Sequence, residues 1–390
     1  MDASLFIAGK LHVKSRTAMI CIAVSFLVMI IAVSVSSGFR NEIRKGVSSI
    51  SGDVLISTPD LNFLNETKPI GTDASYVEAI SRLECVDHVV PTVWRAGIVR
   101  HDEGMHGVVI KGRPDAAASD SVELAVSIPK SLSRASGLKV GDKMTTWFVG
   151  ENMNLRQFEV ASVHEDMVDA GGAHIVYASL DDMQRLNGWD DNHASALEVY
   201  LAEDYASDAK INNAAGEIGT LINAYLTDDE EYVIATSSVS RYPQLFSWLD
   251  LIDFNVFFIL MLMTVVAGFN MISGLLIILF EHISMIGLLK SLGMTDKSIA
   301  KVFLSASAVI TLKAMAVGNA IAILFCVLQD KTHFLRLDPE NYYVSFVPVN
   351  VDFARIFAAD VISFAVIMLL LLIPCLFISK VDPAETVRVR

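Results

Sequence analysis

Cysteine and basic side chains are both scarce in this chain. It has 4 cysteines, of which Cys21, Cys326 and Cys375 lie in apolar runs. Cys85 alone lies in the polar part, so no disulfide can form within that part. The 30 Lys and Arg residues are outnumbered by 44 Asp and Glu residues, which gives a net charge of −14. This deficit argues against nucleic-acid binding, which needs a stripe of basic side chains to neutralise phosphates.

Motifs that bind nucleotides or catalyse hydrolysis are also missing. The sequence contains no GxxxxGK[ST] phosphate-binding loop, no HExxH and no GxSxG. The chain itself is therefore predicted not to hydrolyse ATP and not to be an enzyme. The nearest approach to a metal site is the segment HDEGMH at residues 101–106, which we interpret as a turn between two strands. We expect no metal and no cofactor on this chain.

Apolar side chains, in contrast, are abundant. They make up 53% of the residues and give a mean hydropathy of +0.48, which is too high for an ordinary soluble protein. The charge is unevenly distributed: residues 51–250 hold 32 acidic and 14 basic side chains, whereas the other 190 residues hold 12 and 16. The sequence therefore predicts an acidic, water-soluble domain joined to a slightly cationic membrane part.

Four runs are long enough to cross a bilayer, whose hydrocarbon core of about 30 Å needs about 20 helical residues. They are residues 17–38, 253–280, 302–328 and 353–379. The first run is longer than the apolar core of a signal peptide, so we expect an uncleaved anchor. Flanking Lys and Arg residues number nine on the side of the two termini and seven on the other side, which favours cytoplasmic termini.

This arrangement places residues 39–252 in a domain outside the cytoplasm, inserted between the first and second spans. The remaining predicted segments are an amphipathic cytoplasmic N-terminal segment (1–16), a cytoplasmic connection (281–300), an external loop (329–352) and a cytoplasmic tail (380–390). The predicted fold class is an α-helical membrane protein with four transmembrane helices and a large mixed α/β domain between helices 1 and 2.

Apolar alternation within the inserted domain predicts both strands and helices. The predicted strands are 53–57, 88–99, 107–111, 144–149, 157–163, 174–177 and 196–201, and the predicted helices are 74–84, 179–187 and 207–225. With about 210 residues the domain can bury a core of its own, in one lobe or two. We expect a strand-rich lobe at about 125–200, inserted between the halves of a βαβ-type lobe.

Two charged side chains fall inside predicted spans, where an unpaired charge costs several kcal/mol. Lys313 and Asp360 lie roughly 18 Å and 27 Å above the cytoplasmic ends of the third and fourth spans, because a helix rises about 1.5 Å per residue. A lysine side chain can bridge this offset, so we predict that the two approach each other or a shared polar cavity. The alternatives are a static tie between helices, a polar element that changes partner, and snorkelling of Lys313.

The connection between the second and third spans has the strongest local pattern. Apolar residues at intervals of three predict one face of a short helix, with polar residues on the remainder. The apolar face is Ile283, Ile286, Leu289 and Leu292, and the polar residues are Glu281, Ser284, Lys290 and Ser291. Gly293 is expected to end this helix and Thr295 to cap the next one. The helix either lies among lipid headgroups or docks a soluble partner, and we favour docking.

The same segment, EHISMIGLLKSLGMTDKSIAKVF, resembles the E-x-x-x-x-IG-[IL]-L-[RK]-[AS]-LG-[AM] stretch of the FtsX-like ABC-transporter permeases, which include the lipoprotein-releasing LolC/LolE subunits and MacB. The matching residues are Glu281, Ile286, Gly287, Leu288, Leu289, Lys290, Leu292 and Gly293. Two further segments resemble the same family: SIPKSLSRASGLKVGDKM (127–144) and the tail ISKVDPAETVRVR (378–390). The order of one helix, a large domain and three helices is also similar.

This resemblance implies a MacB-like periplasmic domain and a bacterial inner-membrane location. It also implies partners: a second permease subunit, two copies of a separate ABC ATPase that binds ATP and Mg²⁺, a lipoprotein substrate and a periplasmic carrier. Residues 281–300 would form the helix that couples the chain to the ATPase. The residues assigned to that contact are Glu281, Ser284, Ile286, Gly287, Leu289, Lys290, Leu292 and Gly293.

Within this family we expect lipoprotein release. The alternatives are an exporter that works with a periplasmic adaptor and a permease that regulates a cell-wall hydrolase or a sensor kinase. The acyl chains of a lipoprotein need an apolar groove, which in a permease pair would lie between the first and second spans. The candidate lining residues are Phe26, Met29 and Val33 on the first span and Phe257, Leu260 and Met261 on the second. Ordinary helix packing or contact with bulk lipid is the alternative for each.

Overall fold

A computed structural model describes most of the chain. The described residues are 16–59, 61, 68–101, 104–116, 124–148, 154–165, 174–205, 207–338 and 342–376. They form two compact units, and each is described by itself. The membrane unit is drawn from Met1–Glu42, Trp248–Leu337 and Ser345–Arg390, and the soluble unit from Ile43–Ser247 and Asp338–Val344. The predicted N-terminal segment up to residue 15 and the predicted tail lie outside the described residues.

Helices and strands are numbered separately in chain order. The helices are α1 (Arg16–Ser51), α2 (Ser75–Ser81), α3 (Lys130–Ser136), α4 (Leu180–Asn187), α5 (Asp208–Tyr225), α6 (Ser238–Arg241), α7 (Pro243–Glu281), α8 (Ile283–Ser291), α9 (Asp296–Thr332), α10 (Phe353–Leu370) and α11 (Leu372–Cys375). The strands are β1 (Val54–Ser57), β2 (Ile70–Gly71), β3 (Val86–His101), β4 (Gly104–Arg113), β5 (Ala125–Pro129), β6 (Lys143–Phe148), β7 (Asn154–His164), β8 (His174–Ser179), β9 (His193–Ala194), β10 (Ala196–Leu201) and β11 (Ile234–Ser237).

Four helical segments are long and apolar enough to cross a membrane. They are Thr17–Ser51, Pro243–Glu281, Asp296–Thr332 and Phe353–Cys375, and they correspond to the four predicted spans. The first three are longer than predicted, because polar residues continue the helix beyond each apolar run. Pro243 suits the first turn of α7, where its missing N–H has no helical partner to lose. The predicted connection 281–300 contains the short helix α8 and the first turn of α9.

The membrane unit has a continuous apolar core. Phe26 of α1, Leu275 of α7 and Phe303 of α9 are among its buried residues. Gly318 lets α9 approach α1 closely, because a Cβ at that position would overlap the carbonyl oxygen of Ala23. Small residues are thus required at this helix crossing, as in other membrane helix pairs.

The soluble unit is built on a nine-stranded sheet with the order β11-β1-β10-β3-β4-β8-β5-β7-β6. β10 is antiparallel to both β1 and β3, so β1 and β3 are parallel, with α2 between them in the chain. By the same argument β10 and β11 are parallel across β1, with α5 between them. Two interlocked split βαβ units of this kind form a ferredoxin-like lobe, in agreement with the predicted βαβ type.

A second lobe is inserted into the first, but its limits differ from the predicted 125–200. Its core contains Ile110 of β4 together with Phe148 and Phe158, whereas the core of the first lobe contains Val54 and Ile218. The inserted lobe therefore begins earlier, within the long strands β3 and β4. It also ends earlier, because β10 pairs with β1 and β3 as part of the first lobe.

Candidate functional site

The helix α8 is bounded by a break at each end. His282 separates it from α7 and has φ −108° and ψ 20°, outside the helical region. At the other end Gly293 has a φ of +91°, the left-handed conformation that favours glycine. Thr295 Oγ1 accepts a hydrogen bond from the Ser298 N–H at 3.4 Å and caps α9. The predicted stop at Gly293 and the predicted cap at Thr295 are confirmed.

One side of α8 packs on the membrane unit and the other side is exposed. Ile286 is 1% exposed, Gly287 is buried, and Leu289 packs partly against the same core. Leu288 and Leu292 are exposed, at 55% and 76%. Two leucines four positions apart therefore face away from the membrane-unit core.

The predicted apolar face of this segment needs a correction. Ile286 faces the core, whereas Leu292 lies past the end of the helix and is exposed. Six residues turn an α-helix by about 600°, so positions 286 and 292 differ in direction by about 120°. Glu281, Ser284 and Gly293 are also exposed. The remaining predicted contact residue, Lys290, places Nζ 2.9 Å from Asp296 Oδ1 of α9.

Lys313 and Asp360, predicted to approach each other or a shared polar cavity, do not form an ion pair. Asp360 is 6% exposed, and its Oδ2 accepts a hydrogen bond from Asn319 Nδ2 at 2.6 Å. Lys313 is exposed. Asn319 lies six residues beyond Lys313, so it is about 9 Å further along α9 and about 120° around the helix axis. This rise of about 9 Å equals the difference in predicted depth between Lys313 and Asp360. The neutral amide, rather than the lysine, is therefore the partner of Asp360.

The predicted groove residues divide into two groups. Phe26 and Met29 of α1 are completely buried and Val33 is 8% exposed, all within the core of their own membrane unit. Phe257 and Met261 of α7 are 61% and 50% exposed. The sixth, Leu260, is partly buried against both apolar clusters of this unit. The first-span residues are thus packing residues, which corrects their assignment to a groove, and the exposed candidates lie on α7.

An ion-pair cluster that was missed in the sequence joins α1 to α7 in the membrane unit. One Nη of Arg40 lies 2.6 Å from Asp250 Oδ1 and 2.8 Å from Asp253 Oδ2. Arg40 Nε also donates to Asp253 Oδ2 at 3.0 Å, and Ser36 donates to the other oxygen of Asp253. More than two hundred residues separate these groups, so no local pattern in the sequence points to the contact.

A second missed cluster lies inside the soluble unit. Lys111 Nζ donates to the carbonyl oxygen of Ile50 at 2.5 Å and lies 2.7 Å from Glu198 Oε1. The ammonium also sits 4.8 Å from the centre of the Trp94 ring, and Tyr200 donates its hydroxyl to Glu198 Oε2 at 3.0 Å. Burial lowers the pKa of Lys111 to about 8 and raises the pKa of Glu198. Because both side chains are inaccessible, this cluster is structural rather than a binding site.

Within the described ranges no group of three or more His, Cys, Asp or Glu side chains is placed to hold a metal ion. Two antiparallel strands flank the HDEGMH segment as predicted, β3 ending at His101 and β4 beginning at Gly104, but residues 104–106 belong to β4, so the predicted turn at 101–106 was too long. Asp102 and Glu103 of that segment lie outside the described residues.

Comparison with known protein families covers nearly the whole chain. The family model described as FtsX-like permease C-terminal matches residues 257–383, which include α8 and Asp360. The family model described as MacB-like periplasmic core domain matches residues 15–249. The second match alone spans more than half of the chain.

Curated relatives match along nearly their full length. The lipoprotein-releasing system transmembrane protein LolC of Xylella fastidiosa strain Temecula1 is 24% identical, with 97% of this chain and 95% of the relative covered. LolC of Neisseria meningitidis strain MC58 is also 24% identical, with 94% and 92% covered. The crystal structure of the periplasmic region of MacB from Actinobacillus actinomycetemcomitans is 13% identical, covers 52% of this chain and 94% of its own, and has a TM-score of 0.33. From the two family models, the chain belongs to the FtsX-like permeases with a MacB-like periplasmic core domain.

Proposed function

We propose that this chain is the permease subunit of an ABC transporter that releases lipoproteins from the bacterial inner membrane to a periplasmic carrier. The observation that carries the proposal is the similarity, over nearly the full length, to relatives named as transmembrane proteins of the lipoprotein-releasing system. A second permease subunit and two copies of a separate ATPase complete the assembly. ATP and Mg²⁺ bind to that ATPase, since this sequence carries no phosphate-binding loop.

The exposed side of α8 is the surface that we assign to the ATPase. The periplasmic domain is inserted between α1 and α7, and α7 crosses the membrane once, so α8 follows on the cytoplasmic side. Its buried residue Ile286 fixes it to the membrane unit, and the Lys290–Asp296 ion pair fixes its end to α9. A partner covering Leu288 and Leu292 removes exposed apolar surface from water and binds a helix that is already held in place.

The α8 assignment is tested by co-purification. We expect the double variant Leu288→Asp, Leu292→Asp to lose the ATPase, because two charges are placed in the apolar contact. The matched control is Leu155→Asp, which changes a leucine of β7 that is 48% exposed in the soluble unit. If the α8 variant folds and still retains the ATPase at the wild-type level, the assignment is wrong.

Contact with the lipid part of the substrate is proposed for the exposed side of α7. Phe257 and Met261 lie four residues apart on one helix face and are both at least half exposed. A photo-reactive residue at position 257 is expected to cross-link to the acyl chains of a bound lipoprotein. The same residue at position 26, which is buried in the unit core, is the control. Equal labelling from both positions contradicts the proposed contact.

A further inference from the structure

Asp360 and Asn319 form a polar pair that the proposed transport function leaves unused. Asp360 lies on α10 and is 6% exposed, and Asn319 on α9 donates one hydrogen bond to it at 2.6 Å. Both helices are among the four candidate spans. The pair therefore lies where water is scarce and each unmatched polar atom is costly.

One hydrogen bond does not satisfy the polar atoms of this pair. Asp360 Oδ1 and Asn319 Oδ1 are both buried, and neither has a hydrogen-bond partner among the described residues. An ionised carboxylate has no donor, and the oxygen of an amide only accepts. If Asp360 is ionised, two buried acceptors occupy the site and no donor serves them.

No described residue forms an ion pair with Asp360. One turn before it, Ile356 packs in an apolar cluster with Ile30 of α1. About one turn after it, Ser363 shares a hydrogen bond of 3.0 Å with Thr264 of α7. The contacts that α10 makes with α1 and α7 one turn before and one turn after Asp360 are thus neutral, and an isolated carboxylate is strongly disfavoured in such surroundings.

The lysine of α9 does not supply the missing charge. Lys313 is exposed and lies on a different side of α9 from Asn319, whose amide is the group that faces Asp360. The part of α9 that faces the carboxyl is therefore neutral as well. A proton on the carboxyl itself is the remaining way to remove the charge.

We propose that Asp360 and Asn319 form a proton-binding site within the membrane unit. The carboxyl takes one proton from water on Oδ1 and donates it to Asn319 Oδ1, while Asn319 Nδ2 donates to Asp360 Oδ2. A single proton thereby serves both unmatched acceptors, and the carboxylic acid and the amide form a neutral pair with two hydrogen bonds. Loss of the proton charges the carboxyl and leaves the amide oxygen without a donor, so the α9–α10 contact depends on that proton.

Infrared spectroscopy of the full chain in lipid tests this directly. At about pH 8 exposed carboxyl groups are ionised, because their ordinary pKa is near 4, and a protonated acid gives a separate C=O band. We expect the wild type to show this band and Asp360→Asn to lose it. Glu198→Gln, which changes the buried acid of the soluble unit, is the matched control and should keep it. Asn319→Leu should move the band to higher frequency, because the acid loses its acceptor, whereas a purely structural role leaves no band to move.

An ionised Asp360 gives a different spectrum. If the Asp360→Asn difference spectrum shows only the loss of carboxylate bands, Asp360 is ionised and the proposal is overturned. Wild-type protein with ¹³C-labelled aspartate shows, without any substitution, whether the acid band comes from an aspartate. An isotope-shifted acid band in that sample supports the proton site, and its absence overturns it even if the variants fail to fold.

Discussion

Lys111 Nζ lies 2.7 Å from Glu198 Oε1, and both side chains are completely buried in the soluble unit. Lys111 belongs to β4 and Glu198 to β10, the two neighbours of β3 in the sheet. The pair therefore reaches across β3, whose Trp94 ring lies 4.8 Å from the ammonium. Because β3 and β4 continue into the inserted lobe, this ion pair stabilises the junction of the two lobes.

Replacing one member of the pair should lower the free energy of unfolding far more than replacing both. Lys111→Met or Glu198→Leu alone leaves an unpaired buried charge and should lower the free energy of unfolding by about 3–5 kcal/mol. The double replacement leaves no charge, so it should lie much closer to the wild type. Chemical unfolding of the full-length protein in detergent measures all three. If the stability loss of the double variant equals the sum of the two single losses, the two side chains do not stabilise each other as a pair.

The same pair predicts a pH dependence of stability. Burial lowers the pKa of Lys111 from 10.5 in the unfolded chain to about 8, so between these values the unfolded chain binds more protons. Wild-type stability should therefore rise with pH across this window, relative to the double variant. Burial raises the pKa of Glu198, so its contribution instead falls as pH rises above about 4.5. Unfolding free energies of both proteins against pH check the prediction, and a constant difference above pH 8 contradicts it.

The Arg40 cluster should depend on Asp253 more than on Asp250. The side chain of Asp253 is 40% exposed and receives two hydrogen bonds from Arg40 and Ser36, whereas that of Asp250 is 73% exposed. Asp250→Asn should change the free energy of unfolding by less than about 1 kcal/mol, and Asp253→Asn should cost about 1–3 kcal/mol. Thermal unfolding in detergent compares them. Equal losses from the two variants contradict the assigned geometry.

Two glycines in helices should respond in opposite directions to the same change. Gly318→Ala places a methyl group against the Ala23 carbonyl and should destabilise the membrane unit by about 1–3 kcal/mol. Gly216→Ala on α5 meets no atom within 4 Å and should stabilise the soluble unit by about 0.5–1 kcal/mol. Both variants are measured by unfolding of the full chain. A neutral Gly318→Ala shows that α1 and α9 are not in close contact.

Elements with long and regular apolar patterns could be predicted from the sequence. The strand predicted at 157–163 lies within β7, and the helix predicted at 207–225 matches α5 to one residue. The strands β5 and β11 were not predicted. They are strands because neighbours pair with them: β11 with β1, and β5 with β7 and β8.

Local chemistry of the candidate site could be predicted, but its contacts could not. Left-handed Gly293 and the Thr295 cap depend only on adjacent residues, and the sequence predicted both correctly. The partner of Asp360 depends on how α9 is rotated, which depth along the helix does not specify. The predicted depth agrees with Asn319, but an uncharged amide does not stand out in a search for charges.

In the proposed function this chain uses ATP hydrolysed by a partner to release lipoproteins. The most direct measurement is transfer of a lipidated protein from proteoliposomes, containing this chain, its second permease subunit and the ATPase, to a soluble carrier. We predict release that requires ATP and falls to the background level when Leu288 and Leu292 are both changed to aspartate. Active ATPase that stays bound to the wild-type chain without releasing the lipidated protein would contradict the proposed function.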